Sequence, residues 1–412
     1  MELKTKTYCV MPWVCAMVNT DQNLMYCCIS SDHLSGKYKA GESSIINEMW
    51  NSSELEDVRE KMLNGEKVPG CEHCYMQEKI GKESYRMMFS REWSEEDIRE
   101  VPVYLDLRLG RKCNSKCRMC NPFNSTVFSI EHFGLFNTQK RYRKIFNKQY
   151  GENPEYLKRE KPWWDYDFLW DELNSMIPYI KKIYMTGGEP TLIKKNYSFL
   201  ETCLRNGRED LFIFLNMNCT NVPDELLDIL QKFKRIKINA SIDGIGSVNE
   251  YIRYPFKWNI VNENFRKLAS ISNINLGISP VILTYNILYI NQLFEYVDQI
   301  KREYHRNINI DFLINTKPSY FDIRILPDKC IKMIKNWLEA LKSDVDDSHY
   351  KYLVDVVNNY ISLPFEGNKE TELSDFIYMT KIYDESRKQL MRQSLPELYN
   401  LLKFELGDNF DE

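Results

Sequence analysis

An α/β fold built around a parallel sheet is predicted by three features of this 412-residue sequence. Six short strand candidates recur through the middle of the chain, at 102–109, 181–186, 211–217, 235–242, 275–284 and 307–315. Helical candidates at 192–206, 223–233, 260–272 and 289–304 lie between them. Strands that alternate with helices are joined by crossovers and so pair in parallel. Third, the chemically distinctive loops all follow strand candidates, as functional loops do in such sheets.

The N-terminal 95 residues read differently. They hold Cys9, Cys15, Cys27, Cys28, Cys71 and Cys74, half of the 12 cysteines. Met17 to Ile29 alternates as a hairpin around Thr20-Asp-Gln-Asn23. Ser53-Glu-Leu-Glu56 has the form of a capping box opening a helix that stops near Asn64-Gly65, and Cys71-Glu-His-Cys74 begins another helical stretch. In the central region Asp224 is an expected N-cap before Glu-Leu-Leu-Asp-Ile-Leu. Residues 321–412 read as helical throughout and carry no motif.

Net charge is −4, so no global basic field points to nucleic acid or to an anionic membrane. No signal peptide is recognisable, and no apolar stretch reaches the roughly 18 residues that a spanning helix needs. Twelve cysteines without an export signal argue for reduced thiols and metal sites rather than disulfides. A cytoplasmic location is therefore expected.

Cys113-Asn-Ser-Lys-Cys117-Arg-Met-Cys120 directly follows the strand candidate Val103 to Leu109. A cubane iron–sulfur cluster takes four cysteines when its protein set is complete. Three thiols within eight residues can wrap one side of the cube and leave one iron open to a ligand. The spacing could also hold zinc, but structural zinc sites pair two-residue spacings and add a fourth ligand, and no histidine or further cysteine lies close by, the next cysteine being Cys203. Downstream, the strand Lys182-Ile-Tyr-Met-Thr186 runs into Gly187-Gly188-Glu189-Pro190. Two glycines let a backbone approach a ligand, and the carboxylate can accept a hydrogen bond from an ammonium group. Alone, those four residues are an ordinary turn; after a strand and beside the cysteine loop, the two motifs support each other.

Together they resemble the radical S-adenosylmethionine superfamily. The resemblance implies a partial (β/α)6 barrel over residues 96–320, with an insert at 121–180. It implies a catalytic 4Fe-4S cluster on Cys113, Cys117 and Cys120, with S-adenosylmethionine chelating its open iron. Reductive cleavage of that cofactor would then give a 5′-deoxyadenosyl radical that abstracts hydrogen from substrate. Gly187, Gly188, Glu189 and Pro190 match the motif that receives the cofactor's amino group. Many members carry an aromatic residue before the third cysteine; here Met119 stands there, a flexible thioether able to pack on adenine. Asn218, Ser241, Asp243 and Arg253 match less closely the polar residues that touch the cofactor's ribose and carboxylate.

The N-terminal 1–95 segment resembles the auxiliary-cluster modules called twitch and SPASM domains, placed before the barrel, and the chain as a whole resembles the twitch-domain radical enzymes, including the late Ser394-Leu-Pro-Glu-Leu398 run. Cys9, Cys27, Cys71 and Cys74 are the expected ligands of a second iron–sulfur cluster, with a four-cysteine zinc site as the alternative. Cys28 should face away from Cys27 if both lie on a strand. His73 is expected to face solvent, and Cys15, Cys203, Cys219 and Cys330 to be small buried residues.

In the 121–180 insert, Lys140, Arg141, Arg143, Lys144 and Lys148 interleave with Tyr142, Phe146 and Tyr150, and Trp163-Trp-Asp-Tyr-Asp-Phe-Leu-Trp170 follows. It reads either as a segment gripping an anionic or aromatic substrate, or as a solvated amphipathic helix packed on the barrel; the negative overall charge disfavours nucleic acid. The expected function is hydrogen abstraction from a small-molecule or peptide substrate, with flavodoxin or ferredoxin as reductant. A radical peptide maturase and a non-catalytic zinc or iron–sulfur scaffold are the alternatives.

Overall fold

Alternation of side chains along the strands shapes the molecule. In β5 (Phe212–Met217) and β6 (Arg235–Ala240), Ile213, Leu215, Met217, Ile236, Ile238 and Ala240 are buried. Phe214, Asn216, Lys237 and Asn239 turn to the opposite face, where they line a large cavity. The computed structural model describes residues 4–30, 34, 36–79, 81–152 and 162–410.

The other strands are β1 (Cys15–Val18), β2 (Leu24–Met25), β3 (Tyr104–Leu107), β4 (Lys182–Met185), β7 (Ile274–Ile278), β8 (Val281–Ile282), β9 (Asn309–Ile310) and β10 (Leu313–Ile314). One sheet runs in the order β2-β1-β3-β4-β5-β6-β7-β9, and every pair in it is parallel except β1 with β2. The six expected strands are thus β3 to β7 and β9, in chain order. Residues from most of these strands surround one cavity, so the sheet curls as a partial barrel does. The expected strand 275–284 is broken in two at Ser279-Pro280, because proline has no N–H to donate to a ladder. Its second piece, β8, pairs with β10 in a separate two-stranded ribbon.

The expected N-terminal hairpin forms, with Met17 opposite Met25 and Val18 opposite Leu24. Its first strand also lies parallel to β3, Cys15 opposite Tyr104 through Val18 opposite Leu107. The cysteine-rich segment therefore shares the central sheet. Helix Ser53–Leu63 starts one residue earlier than the capping-box reading placed it: Ser52, not Ser53, accepts from Leu55 N at 3.2 Å. Asp224 is the first helical residue rather than the cap, a position that Pro223 occupies. An acid there still favours the helix through the N-terminal dipole.

Helices Asp328–Asp344, Ser348–Ser362, Lys369–Arg387 and Pro396–Leu406 make up most of the C-terminal region. Among the described residues no helix is long and apolar enough to cross a membrane.

The insert forms helices Thr126–Thr138, Lys140–Tyr150 and Asp167–Met176, and two of the five basic residues read from its sequence are taken up by the fold. Lys148 pairs with Glu372 at 2.7 Å and with Asp375 at 3.2 Å, and Arg141 lies 3.5 Å from Asp375 and donates to Ser374. These cations thus bind the C-terminal helix, and neither lines a cavity beside the cysteine loop. Tyr142 and Phe146 are buried with His132, whose ring centre is 4.1 Å from that of Phe146. Trp164 closes over Gly110, where a Cβ would fall 2.1 Å from its ring. Replacing Arg141 and Lys148 together by alanine should cost on the order of 1–3 kcal/mol, measured by urea unfolding, because the cations are half exposed but Glu372 and Asp375, left behind, are buried. Binding of the expected cofactor should be unchanged; weakened binding would return these side chains to the substrate-gripping reading.

Candidate functional site

The cysteine loop has no regular structure of its own and is held by its neighbours. Lys116 N donates to Tyr254 O at 2.7 Å and Arg118 N to Ile252 O at 2.8 Å, which ties the loop to the turn after helix Ser247–Ile252. Thr126 Oγ1 donates to Cys113 O at 3.2 Å. Arg118 anchors the middle of the loop. Its fully buried guanidinium donates to Tyr251 O at 2.9 Å, to Gln389 Oε1 at 3.0 Å and to Asp384, and lies 3.6 Å from the Tyr251 ring centre.

The two glycines fit against the approach to this loop. Gly188 N donates to Gly110 O at 3.2 Å and Glu189 N to Lys112 O at 2.8 Å. A Cβ on Gly188 would fall 2.4 Å from Lys112 O, and Gly187 has φ +112° with its own Cβ position 3.1 Å from Arg108 Cα. Only glycine allows both the conformation and the approach. This contact sets Glu189 beside the cysteines.

One cavity of about 230 Å³ is lined by Cys113, Cys117, Met119, Cys120, Gly187, Gly188, Glu189, Asn218, Ser241 and Arg253. Two of the residues matched from sequence to the cofactor lie outside its lining. Pro190 begins a single turn behind Glu189, and Asp243 is fully buried behind Arg253. Arg253 Nε is 2.6 Å from Asp243 Oδ2, its Nη2 donates to Asp243 Oδ1 at 3.0 Å, and its Nη1 points at Cys117 Sγ from 3.7 Å. Its charge is thus committed to Asp243 on one side and turned to the cysteine sulfur on the other.

Glu189 is 2 % exposed. Its Oε1 accepts from Thr191 Oγ1 at 2.7 Å and its Oε2 from Asn218 N at 2.8 Å. A carboxylate has about four acceptor sites, so these partners leave room for a ligand donor. Burial pushes its carboxyl up to about 7, outweighing those hydrogen bonds and the distant Arg253 charge. Burial and the neighbouring thiols likewise push Cys113 well up and Cys120 up to about 12, so without metal both are neutral. Thiols that share a cavity and cannot ionise alone are the donor set that an iron–sulfur cluster deprotonates as it binds. An ammonium group is the corresponding complement of Glu189.

Several participants were not selected from sequence. Ser115 Oγ lies 2.8 Å from Cys117 Sγ, and Asn124, Thr186, Asn216 and Met217 also line the cavity. Asn124 Oδ1 accepts from Thr20 Oγ1 at 2.8 Å, so the turn of the N-terminal hairpin touches the site. Ser115 was legible from its place between two cysteines. The Thr20 contact arises from β1 lying on β3, which no local pattern announces.

Cys9, Cys27, Cys71 and Cys74 all line a second, tight cavity of about 20 Å³. Burial pushes Cys71 up to about 12 and also raises Cys9 and Cys74. Among the described residues no three histidine, cysteine or acidic side chains converge as closely as one bound ion requires. Cys28 lines the large barrel cavity instead, although it follows β2 rather than lying on a strand. His73 is exposed, and Cys15, Cys203, Cys219 and Cys330 are fully buried.

No protein-family model matches the sequence, and no curated protein does. Among solved structures, native anSMEcpe with bound AdoMet matches with TM-score 0.38 and 15% identity over 57% of this chain and 59% of that one. Streptococcus suis SuiB bound to S-adenosylmethionine matches with TM-score 0.37 and 14% identity over 72% of this chain and 54% of that one. SuiB bound to precursor peptide SuiA matches with TM-score 0.38 and 14% identity over 79% and 59%. The chain spans less than two thirds of the length of each of these structures.

Proposed function

We propose that this chain is a radical S-adenosylmethionine enzyme. The observation that carries the reading is the single cavity into which the fold brings three cysteines, a Gly-Gly-Glu turn and Met119. Cys113, Cys117 and Cys120 would hold a four-iron cluster, and Glu189 would accept the cofactor's ammonium hydrogen bonds. When bound there, cluster and cofactor together supply reductive cleavage of the sulfonium, which yields a 5′-deoxyadenosyl radical able to take hydrogen from carbon. The chain's own part is positional. Gly187 and Gly188 admit the cofactor to the strand end, Met119 offers an apolar surface to adenine, and Asn218 holds Glu189 through its backbone N–H. Arg253 stands against Cys117 and balances negative charge gathered on the sulfurs.

The four N-terminal cysteines would hold a second cluster. Ile29, Tyr85 and Phe89 line both their cavity and the large barrel cavity, so that site adjoins the space where a substrate would lie. A cytoplasmic enzyme reduced by flavodoxin or ferredoxin fits this reading.

The anaerobically reconstituted protein, given strong reductant and S-adenosylmethionine, should release 5′-deoxyadenosine without any substrate. None released from a protein whose iron is intact would favour the non-catalytic scaffold. Glu189→Gln separates binding from stability. A carboxyl raised from its ordinary value of 4.5 to about 7 in the fold binds more protons folded than unfolded, so its contribution falls as pH rises through that window. Above pH 7 its ionised form opposes folding by on the order of 3 kcal/mol, at 1.36 kcal/mol per unit. The metal-free glutamine variant should therefore melt at or above the parent at pH 8. With its iron reconstituted, the same variant should nevertheless bind S-adenosylmethionine at least about tenfold more weakly than the reconstituted parent, having lost a charge-assisted hydrogen bond. Equal cofactor affinity in parent and variant would remove Glu189 from the site.

A further inference from the structure

Branched apolar side chains usually fill the inside of a barrel. Here one layer across the sheet reads Asp106, Tyr184, Phe214, Lys237 and Asn275, each in register with the next. The strands enclose a cavity of about 710 Å³, in the size range of small-molecule sites, in place of a packed core.

The charges in this cavity are unequal. Lys182 has its own carboxylate, Glu92, at 2.6 Å, and Arg108 meets Asp106 through two N–H groups at 3.1 Å. Lys82 donates to Phe312 O at 2.8 Å, whereas among the described residues Lys237 Nζ has neither a carboxylate within ion-pair distance nor a hydrogen-bond acceptor, and it sits 4.8 Å from the Phe214 ring centre. Its charge also works against that of Lys182, 5 % exposed in the layer below. At the other end, Asn216 lines both this cavity and the one beside the cysteines. Its Nδ2 donates to the Tyr184 hydroxyl at 2.6 Å, while its buried Oδ1 has no donor among the described residues. Between the two ends stand the rings of Tyr184 and Phe214, 4.6 Å apart.

We propose that the barrel cavity binds a small organic anion, a carboxylate or phosphate ester, with its charge on Lys237. Its apolar or aromatic body lies along Tyr184 and Phe214, and an N–H or O–H donor reaches Asn216 Oδ1 at the boundary with the cysteine cavity. Naming this anion as the substrate rests on the proposed function; its binding requires neither cluster nor cofactor.

The test is isothermal titration calorimetry of the full chain with phenylacetate and phenyl phosphate, and with neutral phenylacetamide as control. Both the better anion and its margin are informative: the anion should bind at least about tenfold more tightly than the amide, as expected for a charge-assisted contact. The margin should shrink as ionic strength rises. Lys237→Met should abolish the preference and Lys237→Arg should retain it, with both variants melting cooperatively. Whichever anion binds more tightly identifies the substrate's charged group. Equal binding of anion and amide, absence of binding by either anion, or a preference that survives Lys237→Met overturns the proposal. Release of 5′-deoxyadenosine without substrate reports on the cysteine site alone, so the two readings fail separately.

Discussion

Replacing Cys113, Cys117 and Cys120 together by alanine is expected to halve the iron of the anaerobically reconstituted protein, from about eight atoms to about four, and to abolish 5′-deoxyadenosine formation. The first effect follows from two separate cysteine groups, one around each cavity. The second follows because the remaining group lines a different cavity from Glu189. The variant should still fold. The loop is pinned by backbone bonds from Lys116 and Arg118 and by the Arg118 guanidinium, none of which depends on sulfur. Iron and zinc analysis of parent and variant checks this. Iron unchanged in the variant would remove the three cysteines from the site. One zinc per chain alongside about four irons in the parent would instead reassign Cys9, Cys27, Cys71 and Cys74 to zinc.

Arg118→Met should be the most destabilising single change near the site. Arg118 is fully buried, and its partner Asp384 has a side chain only 14% exposed. Removing one member of a buried pair leaves the other uncompensated, typically at a cost of 3–5 kcal/mol; Asp384 also accepts from Met391 N at 2.9 Å, which points to the lower end, about 3 kcal/mol. Urea unfolding of the metal-free protein reads this directly. The same change frees the middle of the cysteine loop, so reconstituted iron should fall as well. A loss below about 1 kcal/mol would show that backbone bonds alone hold the loop.

Much of this was legible in the sequence, for local reasons. The strands of the barrel show as short apolar runs, and helices at Lys194–Arg205 and Ile290–Tyr304 fall within two residues of their expected bounds. The cysteine loop and the Gly-Gly-Glu turn declare their chemistry by composition and spacing. Contacts between distant segments were not legible. Nothing near Arg118 marks it as the partner of Asp384, and no periodicity places Cys15 against Tyr104. The basic helix Lys140–Tyr150 stayed open between two readings for the same reason: Arg141 and Lys148 are answered by Glu372 and Asp375, far along the chain.

That last kind of contact sets an order of events during synthesis. The cysteine loop leaves the ribosome long before the helix Lys369–Arg387 that clamps it through Arg118, and β1 must wait for β3 before it has a parallel neighbour. Pairings of such long range close slowly, and chains of this size pass through partly formed states. Until Asp384 and Gln389 arrive, the three thiols lack the frame that holds them around one cavity. On the proposed reading, metal delivery to this loop would follow completion of the C-terminal helices, so an iron donor acting on nascent chains would meet the N-terminal cysteines first.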